Sequence, residues 1–174
     1  KGVKKMYITR ESLENFENKY ADENDSLPLQ CCKAAEETVE KYLGYCPEEK
    51  EYTFKVYGNN SEILTLPVWI MNVISVDGET GLEWDIEKNH LFYEGRKKKW
   101  HSALSYEVKC KGGFTEVPLK IVTVALQLAS LYWESAGGNL AVSSTSYADT
   151  GTRVFNNFSE DRFLKDIDAW RIYK

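Results

Sequence analysis

The segment SYEVKCKGGFTEVPLKIVTVALQLASLYWE, residues 105–134, contains three structural signals in a row. Residues 106–110 alternate between apolar and polar, which is the period of two that predicts a β-strand. The glycine pair at 112–113 predicts a tight turn, because glycine accepts positive φ values. Pro118 fits the first turn of a helix, where its missing N–H costs nothing. The segment therefore predicts a strand, a glycine turn and a main helix.

The predicted main helix is apolar around most of its circumference. A helix on the surface of a globular protein needs an apolar face over only part of its circumference. The helix therefore either runs through the middle of a bundle or is partly covered by a neighbouring subunit. Its polar residues recur every three or four positions and form one narrow stripe: Lys120, Thr123, Gln127, Ser130 and Glu134.

Two shorter helices are predicted before it, in residues 1–45. Thr9 fits the N-cap of the first, and Ser26 fits the N-cap of the second, with Pro28 in its first turn. Gly44 stands where a C′ glycine ends a helix. Residues 51–111 then change to a period of two, with turn signals such as Asp77-Gly78, and predict a β insertion.

The end of the chain is polar and then helical again. Residues 137–158 are rich in Gly, Ser, Thr and Asn, and a loop of this length is usually functional or disordered. A last helix is predicted in 159–174. The expected fold is α+β, a mainly helical bundle of about four helices with a β-strand insertion between helix 2 and the main helix (117–136). We expect one domain over residues 1–174.

Composition excludes several function classes. The 174 residues carry a net charge of −5, so bulk electrostatics do not favour non-specific binding of nucleic acid. No apolar run reaches the roughly 20 residues that span a bilayer, and we expect no secretory signal, because no apolar h-region follows the basic residues 1–5. The spacing of Cys31, Cys32, Cys46 and Cys110 matches neither a zinc site nor a redox pair. We expect no metal, no cofactor and no membrane partner.

No catalytic residue is predicted. His90 and His101 are the only histidines, and neither has a nucleophile or carboxylate at a diagnostic spacing. A pair assembled in space stays open as an alternative. There is no phosphate-binding loop and no Rossmann fingerprint.

One local positive cluster stands out in this acidic chain: Arg96, Lys97, Lys98 and Lys99. It fits either a solvated hairpin loop or a contact with DNA phosphate or an acidic partner. The adjacent Trp100 fits either a base-stacking residue or a side chain that covers the sheet.

Four strings carry a resemblance: GGFTEVP at 112–118, LYWE at 131–134, YLGY at 42–45 and LTLPVWIMNVISVDG at 64–78. Together with the order of the predicted elements, they resemble the head–tail connector (adaptor) proteins of tailed bacteriophages and prophages. The resemblance spans nearly the whole chain. It consists of layout and short strings rather than of an invariant motif.

The resemblance implies a non-enzymatic virion protein of the phage neck that is assembled in the host bacterial cytoplasm. It implies a ring of twelve copies that binds the portal protein and a stopper or tail-completion protein. DNA would pass through its channel without sequence-specific binding. Tryptophan and other aromatic residues are favoured at such interfaces. The candidate interface residues are Trp133, Tyr147, Arg153, Phe155, Phe158, Phe163, Ile167 and Trp170.

Two alternatives remain. Another neck protein, such as a head-completion or stopper protein, is usually smaller and richer in strands, and the helix signals argue against it. A small cytosolic hydrolase or nucleic-acid-binding domain would use the histidines and the basic cluster. Salt-sensitive DNA binding would favour the second alternative.

Overall fold

A computed structural model describes residues 6–80, 84–96, 98–136, 144–147, 151–154 and 160–172. Four α-helices form in this part of the chain: α1 (Arg10–Glu17), α2 (Leu27–Leu43), α3 (Leu119–Glu134) and α4 (Glu160–Leu164), the last continuing as a 3-10 helix, Lys165–Trp170. The strands are β1 (Lys50–Tyr57), β2 (Leu64–Thr65), β3 (Ile70–Val76), β4 (Trp84–Glu87), β5 (His90–Tyr93), β6 (Ser105–Gly112), β7 (Ser144–Tyr147) and β8 (Gly151–Val154).

The chain divides into two compact units. The first comprises Lys1–Tyr42 and Leu119–Ala169, and the second comprises Leu43–Pro118 and Trp170–Lys174. The first unit therefore contains α1, nearly all of α2, α3, α4 and the β7–β8 hairpin. The second contains the other six strands.

The second unit is built on two antiparallel three-stranded sheets, with strand orders β1-β6-β3 and β2-β5-β4. In the first sheet β6 is central, and its register with β1 runs from Gly112 opposite Lys50 to Ser105 opposite Tyr57. Side chains alternate between the faces of a strand. Val108 is accordingly buried, while its neighbour Lys109 is exposed.

In the first unit, side-chain hydrogen bonds fix the start of α1 and the loop that follows it. Thr9 caps α1 as predicted, since its hydroxyl accepts the N–H of Ser12 and the Ser12 hydroxyl accepts the N–H of Thr9. The Arg10 guanidinium donates to the carbonyl oxygens of four residues in the loop that follows α1, which holds this loop against the helix. These carbonyls belong to Ala21, Asp22, Glu23 and Asp25.

The predicted mainly helical bundle with one strand insertion is wrong. The protein is mixed α+β, with two three-stranded sheets and a separate hairpin. The second unit has fully buried apolar side chains of its own, both on strands (Leu91 and Val108) and in the segments between them (Leu66 and Trp100). Residues 51–111 therefore have a hydrophobic core of their own and are not a peripheral insertion in a helical bundle.

The turn before the main helix agrees with the sequence. Gly113 has a φ of 88°, whereas Gly112 still belongs to β6. The expectation of a loop over 137–158 is incomplete, because β7 and β8 form an antiparallel pair within it. No helix in the described part of the chain is long and apolar enough to cross a membrane.

Candidate assembly surfaces

The main helix α3 buries most of its apolar residues inside its own unit. Its buried positions are Ile121, Val124, Ala125, Leu128, Ala129 and Trp133. Val122, Leu126 and Leu131 are only half-buried, and Leu119 is 79% exposed. The helix therefore keeps an incompletely covered apolar strip, which we define as Leu119, Val122 and Leu126.

Trp133, a predicted interface residue, lies in the interior. Its side chain is buried, and the Lys19 ammonium lies 4.7 Å from the centre of its ring. One turn earlier, the Ser130 hydroxyl donates to the Glu17 carboxylate of α1. These contacts join α1 to α3 within the first unit.

Helix α4 and the 3-10 helix after it belong to the first unit as far as Ala169, and Trp170 is the first residue of the segment assigned to the second unit. Ile167 is fully buried, whereas Phe163 and Trp170 are half-buried. Lys120 and Asp166 form an ion pair at 2.9 Å. The Tyr132 hydroxyl, whose pKa is raised mainly by burial, donates to the Glu160 carboxylate at 2.9 Å.

Two of the remaining predicted interface residues lie on the strands of the β7–β8 hairpin. Tyr147 lies in β7 opposite Gly151, and Arg153 lies in β8 opposite Thr145. Phe155 and Phe158 lie outside the described residues. The structure thus brings Tyr147 and Arg153 onto one two-stranded element that the sequence pattern did not indicate.

The basic cluster lies beside an aromatic stack. Arg96 is exposed, with its guanidinium carbon 4.1 Å from the centre of the Phe92 ring and its Nη2 atom 3.5 Å from a Glu87 carboxylate oxygen. The Lys98 ammonium lies 5.5 Å from the centre of the Tyr93 ring. Lys99 is exposed, and Lys97 lies outside the described residues.

Trp100 belongs to the core and covers the sheet. It is fully buried, its indole N–H donates to the Glu62 carbonyl at 3.1 Å, and its ring stacks on Tyr93 with centroids 4.3 Å apart. A nucleic-acid base has no access to a ring in this position. The basic cluster therefore offers charge, but Trp100 does not offer a stacking platform.

The cysteines and histidines form no recognisable reactive site. Burial raises the pKa of the Cys32 thiol to about 12 and that of the Cys110 thiol to about 11, so both stay protonated at neutral pH. His90 lies on β5 opposite Glu87, and His101 is exposed. Among the described residues, no group of His, Cys, Asp and Glu side chains could hold a metal ion.

Comparisons with known proteins identify the fold. No protein-family model matches the sequence, and no curated protein matches it either. A chain in the neck of an empty gene transfer agent (GTA) particle, computed with C6 symmetry, matches with a TM-score of 0.59 and 13% identity. The match covers 99% of this chain and 94% of that chain.

A chain in the neck of a native GTA particle, computed with C12 symmetry, matches over the same shares with a TM-score of 0.57 and 13% identity. The protein described here therefore shares its fold with a chain of the GTA neck. A chain in the virion of a native GTA particle also matches, with a TM-score of 0.47 and 14% identity, over 88% of this chain and 81% of that chain.

Sequence reasoning missed one surface, the outer edge of β1. The alternation over residues 50–57 predicts a strand, but it carries no information about whether a second strand lies on the other side. A partial signal exists in the composition, since Lys55 and Glu51 are residue types that edge strands tolerate. The structure places β1 at the end of its sheet, with β6 as its only neighbouring strand in the described part of the chain.

Proposed function

We propose that this chain is a structural virion protein, a head–tail connector (adaptor) whose copies form a ring at the neck of a phage-like particle. The observation that supports this most is the fold shared with the GTA neck chain, over 94% or more of both chains. The neck structure of the empty particle was computed with C6 symmetry, and that of the native particle with C12 symmetry. Twelve copies of the present chain around one axis are the simplest arrangement of the same kind.

A ring requires a heterologous interface, in which one face of a copy fits a different face of the next. The apolar strip on α3 is a candidate for one such face, because Leu119 is largely exposed and Leu126 is half-buried. Burial of such a strip against a neighbour would remove apolar surface from water, which favours the contact.

The ring would lie between the portal protein and the next neck or tail component, a stopper or tail-completion protein, and would extend the DNA channel. The net charge of −5 suits a tube that lets DNA slide without binding it. In this role the protein has no enzymatic activity, is assembled in the host bacterial cytoplasm and ends in the virion neck.

A head-completion or stopper protein is the second candidate. The number of helices speaks against this role, whereas the two three-stranded sheets fit a protein that is richer in strands. The two roles differ in binding order. An adaptor binds the portal directly, whereas a stopper binds only after the adaptor has been added.

The experiment is co-sedimentation of the purified protein with the portal protein of the same particle. We expect direct binding, and we expect Leu126→Glu to abolish it or to abolish ring formation, because a charge would enter the apolar strip. Gln127→Glu introduces the same charge at a polar position of the same helix and serves as the control. Absence of any portal binding by the wild-type protein would contradict the adaptor role.

A further inference from the structure

Strand β1 has an open edge. It is eight residues long, and β6 is its only partner among the described strands. In an antiparallel pair, hydrogen-bonded and non-hydrogen-bonded residue pairs alternate. The Gly58 N–H donates to the Leu104 carbonyl at 3.1 Å, directly beyond the last pair, Tyr57 and Ser105. The even-numbered residues of β1 therefore bond to β6.

The other side of β6 agrees with this assignment. The Glu107 carbonyl accepts the Asp77 N–H at 2.8 Å, and the Gly113 N–H donates to the Trp69 carbonyl at 2.9 Å. The odd-numbered residues of β6 thus bond toward β3, and its even-numbered residues bond toward β1. The backbone groups that point away from the sheet belong to Glu51, Thr53, Lys55 and Tyr57, and no described strand lies beside them.

The opposite edge of the same sheet is protected. Its strand, β3, has two register shifts against β6, at which Met71 and Ile74 are the extra residues. Such bulges disrupt the ladder and make an edge unsuitable for a further strand. Strand β1 pairs with β6 without a shift over its whole length. The sheet is therefore open to strand addition on one side only.

The inner face beside this edge is also incompletely covered. Tyr52, Phe54 and Val56 are half-buried, and the rings of Tyr52 and Phe54 stack with centroids 5.5 Å apart. An added strand would extend the sheet over these side chains. It would gain main-chain hydrogen bonds and apolar burial at the same time.

The β7–β8 hairpin lacks a third strand, just as the β1 edge lacks a neighbouring strand. Its two four-residue strands pair with each other and with no other strand in the described part of the chain. A two-stranded hairpin alone is marginally stable in water at best, and a third strand stabilises it. Both the open edge and the incomplete hairpin occur once in each copy.

We propose that the β7–β8 hairpin of one copy adds to the β1 edge of the next copy. The contact is heterologous, so repeating it propagates from copy to copy, and the copies close into a ring when the rotation between neighbours divides a full turn. The inference rests on the proposed ring and names a pair of surfaces that would join its copies, in addition to the apolar strip on α3. A pairing of β1 with β1 across a twofold axis would instead stop at a dimer.

Two variants test the two halves of this interface. Thr53→Pro removes an N–H that points away from β6, a place where edge strands tolerate proline, and Thr53→Val is its control because it keeps the N–H. The second variant replaces residues 144–154 with a Gly/Ser segment of equal length. Circular dichroism and thermal melts establish that each variant is folded, and Lys55→Pro repeats the edge test at a second position.

The readout is native mass spectrometry. We expect the wild type and Thr53→Val to form rings, and we expect each of the other variants alone to stay monomeric. An equimolar mixture of Thr53→Pro and the hairpin-replaced chain should give a dimer and stop there, because only one complementary pair of surfaces remains. Rings from either blocked variant, or a dimer of the hairpin-replaced chain alone, would overturn the inference and leave the proposed function standing.

Hydrogen exchange further distinguishes failure of the proposed function from failure of the proposed pairing between the hairpin and β1. On assembly, the amides of residues 51, 53, 55 and 57 should exchange roughly tenfold more slowly, while those of 52, 54 and 56 change less because they already bond to β6. If the wild type never assembles, alone or with portal, the proposed function fails. In that case a peptide of residues 142–156 is added to the full-length protein, and unchanged exchange at the four amides overturns the inference as well.

Discussion

Glu36 is a buried acidic residue of α2 that accepts hydrogen bonds from the chain before α1. It is 1% exposed, and its Oε1 atom accepts the backbone N–H groups of Tyr7 at 2.7 Å and Ile8 at 3.0 Å. We expect Glu36→Ala to lower the free energy of unfolding by about 3 kcal/mol, since two backbone donors lose their acceptor. Urea denaturation measures this.

The neighbouring Glu37 provides the control, because it is exposed on the same helix. Glu37→Ala should change the free energy of unfolding by less than about 0.5 kcal/mol. Equal effects of the two substitutions would show that the Glu36 carboxylate does not hold the chain at residues 7 and 8.

Two carboxylates make the stability dependent on acid pH. The hydrogen bond from Arg10 lowers the pKa of Glu14, and hydrogen bonds from Thr115 and then Lys111 lower the pKa of Glu49. A carboxyl whose pKa is lower in the folded state stabilises that state above its unfolded pKa, about 4.3 for Glu. This contribution is lost as the pH falls through the folded pKa.

We therefore expect the melting temperature to fall as the pH drops below about 4.5. The double variant Glu14→Gln, Glu49→Gln should show a shallower decrease, whereas the exposed control Glu37→Gln should follow the wild type. Differential scanning calorimetry at a series of pH values measures the slopes. Parallel slopes for the wild type and the double variant would contradict the assignment.

At the residue scale, the sequence predicted local features and missed long-range ones. Thr9 as a cap and Gly113 at a turn follow from the backbone preferences of single residues. The role of Glu36 could not be predicted, because its partners lie 28 and 29 positions away. An acidic residue in a helix is ordinarily solvated.

The close packing of the turn between β6 and α3 can be tested at Gly113, with Gly78, a glycine of similar φ after β3, as the control. Gly113 has a φ of 88°, and a Cβ atom added there would collide with the Glu48 carbonyl group. Gly78 has a φ of 82°, and an added Cβ would have nothing within 4 Å. An alanine would therefore suffer backbone strain at both positions, but it would collide with a neighbour only at position 113.

Gly113→Ala should cost about 3 kcal/mol or more, from strain and overpacking together. Gly78→Ala should cost about 1 kcal/mol, from strain alone. Chemical denaturation of both variants gives the difference. If the two costs are equal, then the close approach of Glu48 to this turn does not constrain the chain.

At the element scale, periodicity identified α3 and β6 because both patterns are long and regular. It did not identify the β7–β8 hairpin, since its polar, Ser- and Thr-rich strands resemble a loop in composition. It also did not show that β1 lies at an edge. Edge and central positions differ in their neighbours, and neighbours in a sheet are set by pairings between distant residues.

At the scale of the whole molecule, the predicted helical bundle with a strand insertion differs from the observed pair of units in where the apolar side chains of residues 51–111 are buried. The sequence shows that residues 51–111 form strands. It does not show that Trp100 stacks on Tyr93, or that Leu66 and Leu91 are both fully buried in the second unit. Such choices arise from packing between segments, which a one-dimensional pattern does not contain.

The most direct test of the proposed role is the rotational symmetry of the assembled protein. The purified chain, alone and mixed with the portal protein of its particle, would be imaged by electron microscopy and classified without imposed symmetry. The proposed function predicts closed rings of twelve copies around one axis, seated on the portal in the mixture. Particles that remain monomers or twofold dimers, with no copies on the portal, would contradict it.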